Sequence, residues 1–185
     1  MKFELVYTIE KIPAKKGHQA FSLTPSNNAV NPSIYIFDFI NKMQFSLYKN
    51  NIKLIEYKSN IELSHYSFKL NNINDINNFI FCPKAVSSGY KVTRKRFLES
   101  SEVNWSWNYS NTTLNYTLIN KNAQNIEIAR ISGFSLDGQN TGMLCISDSI
   151  SEDYQAVIIF TACIIWNRSL LSPWIKFSDL FNRKK

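Results

Sequence analysis

Apolar and polar residues alternate along most of the chain, and this period of two predicts a succession of short β-strands. In the first strand, Phe3, Leu5, Tyr7 and Ile9 fall on one face. Short polar connections separate the segments, which is typical of an antiparallel meander. Further strands are predicted at residues 34–39, 43–48, 52–57, 61–70, 79–82, 90–97, 103–109, 114–118, 125–131 and 143–147.

Two connections differ in composition from the rest. Asn50 and Asn51 separate two alternating segments, and they predict a hairpin because Asn tolerates the positive φ of a tight turn. Residues 11–32 contain Pro, Lys and several Asn, and they predict a long, mobile loop. About ten to twelve short strands at this spacing predict a sandwich or a barrel, since no internal repeat indicates a propeller.

The period changes after residue 150. Ala156 to Trp166 reads AVIIFTACIIW, which is apolar on nearly every side, and Glu152 and Asp153 precede it as first-turn acids. We predict a buried helix here, because the run is shorter than the roughly 20 apolar residues that span a bilayer. Its β-branched residues leave a buried strand as the alternative. A helix that is apolar all round needs strands on most sides.

We therefore predict a mainly β protein, an antiparallel β-barrel of about ten to twelve strands closed around a hydrophobic C-terminal central helix. The 185 residues fit one domain, over residues 1–185, with a C-terminal amphipathic tail over residues 169–185.

The order of segments also resembles a known family. An extended segment and a hairpin (SIYIFDF, MQFSLYKNNIKLIEY) precede an aromatic strand (VNWSWNY), a strand pair (LNYTLIN, IEIARI), a turn (SLDGQNTG), a short strand (MLCIS) and the terminal helix. This order, over residues 33–168, is similar to that of the tubby C-terminal-like superfamily, which includes tubby proteins, phospholipid scramblases and plant LURP-one-related proteins. The likeness extends to short uncharacterised fungal members of that superfamily.

The resemblance implies a barrel around a C-terminal helix and a largely non-enzymatic function. Some members of the superfamily bind phosphoinositides or move lipids. The sequence has no match to the Ca²⁺-binding acidic segment or the Cys-rich run of scramblases. Lipid scrambling is therefore not expected of this chain.

The net charge of +7 has an uneven distribution along the chain. Residues 1–100 contain 14 basic and 7 acidic residues, whereas residues 101–185 contain 7 of each. One basic run, free of acidic residues, consists of Lys84, Lys91, Arg94, Lys95 and Arg96. We predict that it binds anionic lipid headgroups, since each cation near such a membrane contributes about 1 kcal/mol. The alternative is a solvated basic edge strand, and Lys11, Lys15 and Lys16 form a second cluster of the same ambiguous kind.

The C-terminal sequence SPWIKFSDLFNRKK predicts an amphipathic helix. Its apolar side includes Trp174, Phe177 and Phe181, and a basic end follows them. One interpretation is a membrane-contact tail, and the other is a helix docked on the barrel. The basic end consists of Arg183, Lys184 and Lys185.

Residues typical of catalytic and metal sites are few in this sequence. Three scattered cysteines and two histidines, His18 and His65, form no metal-ligand or nucleophile motif, so we expect no enzymatic activity, cofactor or metal. Trp105 and Trp107 alternate with polar residues and are predicted to be buried, which disfavours base stacking and nucleic-acid binding. No signal peptide or transmembrane segment is expected, and the predicted location is cytoplasmic or peripheral to a membrane. A protein-interaction scaffold is the alternative function.

Overall fold

The computed structural model describes residues 3–26, 32–59, 65–71, 78–85, 89–94, 103–134 and 141–171. Among these residues the chain forms twelve strands and one helix. The strands are β1 (Phe3–Ile12), β2 (Gln19–Pro25), β3 (Tyr35–Asn41), β4 (Gln44–Lys49), β5 (Ile52–Lys58), β6 (Tyr66–Leu70), β7 (Phe79–Pro83), β8 (Gly89–Arg94), β9 (Val103–Ser110), β10 (Asn115–Asn120), β11 (Ile126–Ser132) and β12 (Thr141–Ser147), and the helix is α1 (Glu152–Leu171).

The strands form a closed antiparallel barrel. Each strand pairs with the strands before and after it in the sequence, and β1 pairs with β12 to close the sheet. Because every strand reverses direction, the connections alternate between the two ends of the barrel. We call the end at which α1 begins the bottom rim, and the end at which α1 finishes the top rim.

The helix lies inside this barrel. Residues 157–166 are each at most 2% exposed, so α1 is covered on every side. Its side chains meet strands from different parts of the wall: Phe160 packs on Phe37 and Phe68, and Trp107 donates a hydrogen bond to Thr161. At 1.5 Å per residue, its 20 residues extend about 30 Å, which is enough to run from one rim to the other. The predicted fold class is confirmed, and the buried-strand alternative for this segment is wrong.

Local signals in the sequence explain several elements. Asn50 and Asn51 have φ of 48° and 68° in the β4–β5 turn, as the hairpin prediction requires. The backbone N–H of Gln155 donates to the carbonyl of Ser151, which places Ser151 at the N-cap of α1. Trp105 and Trp107 face the interior and are 4% and 0% exposed, so the prediction that they are buried is confirmed.

The predicted loop over residues 11–32 is wrong over part of its length, because Gln19–Pro25 form β2 between β1 and β3. Phe21 and Leu23 alternate into the core, but two large apolar residues between Pro13 and Pro25 are too few to be distinctive in sequence. Pro25 is tolerated because the pairing of β2 with β3 ends at Leu23, and the backbone N–H of Ser26, next to it, makes the bond to β1. Residues 169–171, predicted as the start of the tail, are instead the last residues of α1, and residues 172–185 lie outside the described residues.

One buried hydrogen bond joins the wall to α1. Trp107 Nε1 donates to Thr161 Oγ1 at 3.2 Å, and both side chains are 0% exposed. Thr161 Oγ1 in turn lies 3.0 Å from the carbonyl oxygen of Val157 on the preceding helical turn. The hydroxyl therefore satisfies an indole N–H that has no access to water.

Thr161→Val is expected to lower the free energy of unfolding by about 1–3 kcal/mol, because it leaves the buried indole N–H without an acceptor at nearly constant volume. Urea denaturation of wild type, Thr161→Val, Trp107→Phe and the double variant measures this loss in a double-mutant cycle. In the Trp107→Phe background, Thr161→Val should cost much less. An equal cost in both backgrounds would contradict the role given to this hydrogen bond.

Candidate functional site

The predicted basic run does not form one surface. Lys84 lies in the β7–β8 connection at the top rim, whereas Arg94 is the last residue of β8 and reaches the bottom rim. Lys91 is exposed on the outer wall between them. Lys95 and Arg96 lie outside the described residues. These residues are close together in sequence but spread over the height of the barrel, because β8 runs along the wall from the top rim to the bottom rim.

Arg94 faces inward. It is only 4% exposed, and its guanidinium carbon lies 5.0 Å from the centre of the Phe79 ring, near the start of α1. Val92 and Arg94 share the interior face of β8, while Lys91 and Thr93 face outward. Arg94 thus belongs to the bottom of the core and is covered in this structure.

Lys84 is held on the outer wall. Its ammonium donates to the side-chain oxygen of Asn108, on β9. Partial burial lowers the pKa of Lys84, and the neighbouring Lys121 ammonium lowers it further. Within the described residues no carboxylate lies within ion-pair distance of Lys84, so this cation has an amide partner instead of an acid.

The top rim concentrates positive charge. We define it as the connections at that end, with the two strand residues on either side of each. The described residues of this rim include six lysines and no aspartate or glutamate. The six are Lys11, Lys15, Lys16, Lys42, Lys58 and Lys84.

The bottom rim, defined in the same way, has both signs of charge. Its described acids include Asp148, Glu152 and Asp153, and Lys49 forms an ion pair with Glu152 at the start of α1. The two rims therefore differ in electrostatic character, although they belong to one small barrel. Since exposed charges act over about 10 Å at ordinary salt, the described lysines of the top rim reinforce one another, whereas the described charges of the bottom rim include both signs.

Arg168 adds a seventh cation where α1 reaches the top rim. It donates to the Tyr66 hydroxyl at 2.6 Å, and its guanidinium carbon lies 5.1 Å and 5.8 Å from the centres of the Tyr66 and Tyr90 rings. Burial alone would lower the pKa of Arg168, but the two tyrosines raise it above the ordinary arginine value. No described carboxylate pairs with it, so Arg168 is a permanently charged group at this end of the core.

A groove runs down the outer wall from the top rim to Asn51 in the β4–β5 turn. The β1–β2 connection forms one side of it, and outward residues of β3 and β4 form its floor. Its volume is about 540 Å³, within the roughly 300–1,000 Å³ of small-molecule sites. Lys15 and His18 line it, and His18 Nδ1 lies 3.8 Å from Asp38 Oδ1.

Sequence reasoning found the individual lysines but not their arrangement. Lys42 and Lys58 are isolated in sequence, and they join the N-terminal lysines only because alternate connections of a meander meet at one end. That rule is available from sequence once the strands are assigned. The missed strand β2 would have removed Lys15 and Lys16 from the middle of a long loop and placed them in a top-rim turn.

The structure places the three cysteines but not the predicted C-terminal tail contacts. The three cysteines are free, and burial raises the pKa of the Cys163 thiol inside the core. The described residues contain no group of three or more His, Cys, Asp or Glu arranged to hold a metal. The predicted tail contacts Trp174, Phe177, Phe181, Arg183, Lys184 and Lys185 lie outside the described residues.

The one helix among the described residues, α1, does not combine the length and the apolar character needed to cross a membrane. No protein-family model, curated protein or solved structure matches the chain.

Proposed function

We propose that this protein is a non-catalytic, tubby-like module that binds anionic phospholipid headgroups, including phosphoinositides, at a cytoplasmic membrane surface. The observation that supports this most directly is the top rim, where six lysines occur without a described acid. Phosphate groups attract such a cluster, with a contribution of about 1 kcal/mol from each lysine near the surface. The proposed contact is therefore the top rim of the barrel and not the basic run from Lys84 to Arg96.

The shape of the rim is consistent with this mode of binding. Lys11, Lys15, Lys16, Lys42 and Lys58 are exposed, so their ammonium groups can approach a flat surface together. Lys84 and Arg168 lie lower and are partly covered by Asn108 and by Tyr66. We infer that the exposed lysines provide long-range attraction and that the two covered cations meet phosphates only in close contact.

Sedimentation with vesicles tests the proposal. The full chain should pellet with phosphatidylcholine vesicles that contain a phosphoinositide, and far less with phosphatidylcholine alone. Binding should weaken from low to physiological salt, because the contact is electrostatic. The double variant Lys15→Gln/Lys16→Gln should bind about 30-fold more weakly, since it removes about 2 kcal/mol of attraction.

The matched control is Lys53→Gln/Lys69→Gln, which removes the same charge from the bottom rim and should retain binding. Equal pelleting with neutral vesicles, or an equal loss in both double variants, would overturn the proposal. The first of these results, together with a protein partner captured through residues 172–185, would favour the interaction-scaffold alternative.

A further inference from the structure

The groove has an apolar floor on the outside of the barrel. Alternation along β3 directs Tyr35 and Phe37 into the core, where they are 1% and 0% exposed, and directs Ile36 and Ile40 outward. Ile36 is directly opposite Tyr48 of β4, which extends the floor. The core is filled by the inward residues, so the outward isoleucines are not needed to enclose α1.

The wall of the groove is also apolar. Ile12, Pro13 and Ala14 leave β1 and border the floor from one side. The backbone N–H of His18 donates to the carbonyl of Lys15 at 2.9 Å, which closes this connection into a turn. The groove therefore has a defined shape, with an apolar wall, a floor on which Asp38 lies between the apolar Ile36 and Ile40, and an open side toward solvent.

Charged groups occur at defined positions along it. Asp38 is the one carboxylate among the described residues that line the groove, and its Oδ1 lies 3.8 Å from Nδ1 of His18. Lys15 lines the groove itself, and Lys16 follows it in the same top-rim turn. An apolar length with a cluster of cations at one end is complementary to a molecule with a hydrocarbon chain and an acidic head.

We propose that this groove binds the hydrocarbon chain of a single-chain anionic amphiphile, with the acidic head at Lys15 and Lys16. The inference rests on the proposed function, because it uses the same rim for the headgroup, and it deepens that function by adding a site for the chain. The head is a phosphate, as in a lysophospholipid, because a phosphate offers a lysine pair more negative charge and more acceptor oxygens than a carboxylate does.

Isothermal titration of the full chain with alkyl phosphates below their micelle concentrations tests the inference. From octyl to decyl phosphate, Kd should fall about fourfold for each added methylene, as expected for burial of a CH₂ group. The gain should stop at the chain length that fills the groove. Alkyl carboxylates of the same lengths should bind more weakly than the phosphates, and stronger binding of the carboxylates would contradict the assignment of a phosphate head.

Two further titrations separate the parts of the ligand. Inorganic phosphate alone should bind far more weakly than decyl phosphate, and decyltrimethylammonium should not bind. Equal binding of inorganic phosphate would mean that the chain has no site. Equal binding of the ammonium amphiphile would mean that the lysines do not select the head. Either result overturns the inference.

Substitutions on the groove floor test where the hydrocarbon chain of the ligand binds. Ile40→Ser should weaken decyl phosphate about tenfold by removing apolar surface from the floor. Ile80→Ser is the matched control, since Ile80 is an outward isoleucine of β7, 39% exposed and away from the groove. Both variants are compared by circular dichroism and urea unfolding before titration. Equal loss in the two variants, or none in Ile40→Ser, would contradict the assignment.

The outcomes for the groove and for the membrane proposal are distinguishable. If Ile40→Ser and wild type bind decyl phosphate equally while phosphoinositide vesicles still require Lys15 and Lys16, the groove inference fails alone. If decyl phosphate binds as described but vesicle binding does not depend on anionic lipid, the membrane proposal fails and the groove stands as a site for a monomeric amphiphile.

Discussion

Phe160→Ala is expected to lower the free energy of unfolding by about 3–5 kcal/mol, the usual cost of deleting a fully buried aromatic ring. Phe160 is 0% exposed and lies in the middle of α1. Its ring centre is 5.8 Å, 5.5 Å and 4.6 Å from those of Phe37, Phe45 and Phe68, on three different strands. The truncation would open a cavity that α1 and the wall cannot close independently, because both belong to one continuous core.

Urea denaturation of the full chain measures this loss. Phe160→Leu retains much of the apolar volume and should cost markedly less. Phe39→Ala provides a second comparison, because Phe39 is only partly buried and stacks on Phe45 near the end of β3. If Phe160→Ala cost no more than Phe39→Ala, the enclosure of α1 by the barrel would be contradicted.

Much of this core could be predicted from the sequence because its signals are local. The switch from a period of two to an apolar run after residue 150 identified the helix, and its all-round apolarity required strands around it. Asn50 and Asn51 marked a turn through their own backbone preferences. Such features depend on a few adjacent residues, so no knowledge of distant contacts is needed.

The errors concern relations between distant residues. Arg94 and Lys84 are only ten positions apart in a run without acids, so the sequence groups them. In the structure, Arg94 ends β8 and faces inward at the bottom rim, whereas Lys84 precedes β8 and lies at the top rim. The groove depends on outward residues of β3 packing beside the β1–β2 connection, a tertiary contact that leaves no periodic signal. Strand β2 itself is specified chiefly by its pairing with β1 and β3.

The top rim shows how a simple topology creates a functional candidate. Lys42 and Lys58 have no basic neighbours in sequence, yet an up-and-down barrel brings their connections to the same end as Lys15. The bottom rim, built from the other six connections, includes acids at the start of α1 that favour the positive end of the helix dipole. The acids of the bottom rim therefore have a structural cause in the helix dipole, whereas the lysines of the top rim have the binding role proposed above.

Gly142→Ala is expected to lower the free energy of unfolding by about 3 kcal/mol, at the upper end of the usual cost of overpacking. A Cβ at this position of β12 would lie 2.3–2.8 Å from three ring carbons of Trp166, far inside van der Waals contact. The indole has little room to move away, because it is 0% exposed and its centre lies 4.7 Å from the Phe134 ring. Urea denaturation again provides the measurement.

A double-mutant cycle with Trp166→Phe tests the cause of that loss. Trp166→Phe alone leaves a cavity and should destabilise the barrel, but the smaller ring makes room for the added methyl group. The double variant should therefore be more stable than the sum of the single losses predicts, by about 1–2 kcal/mol. Simple additivity would contradict a steric origin and would mean that Gly142 is needed for a backbone reason instead. The expected coupling would show that β12, the strand that closes the barrel onto β1, is fitted directly against the last buried turns of α1.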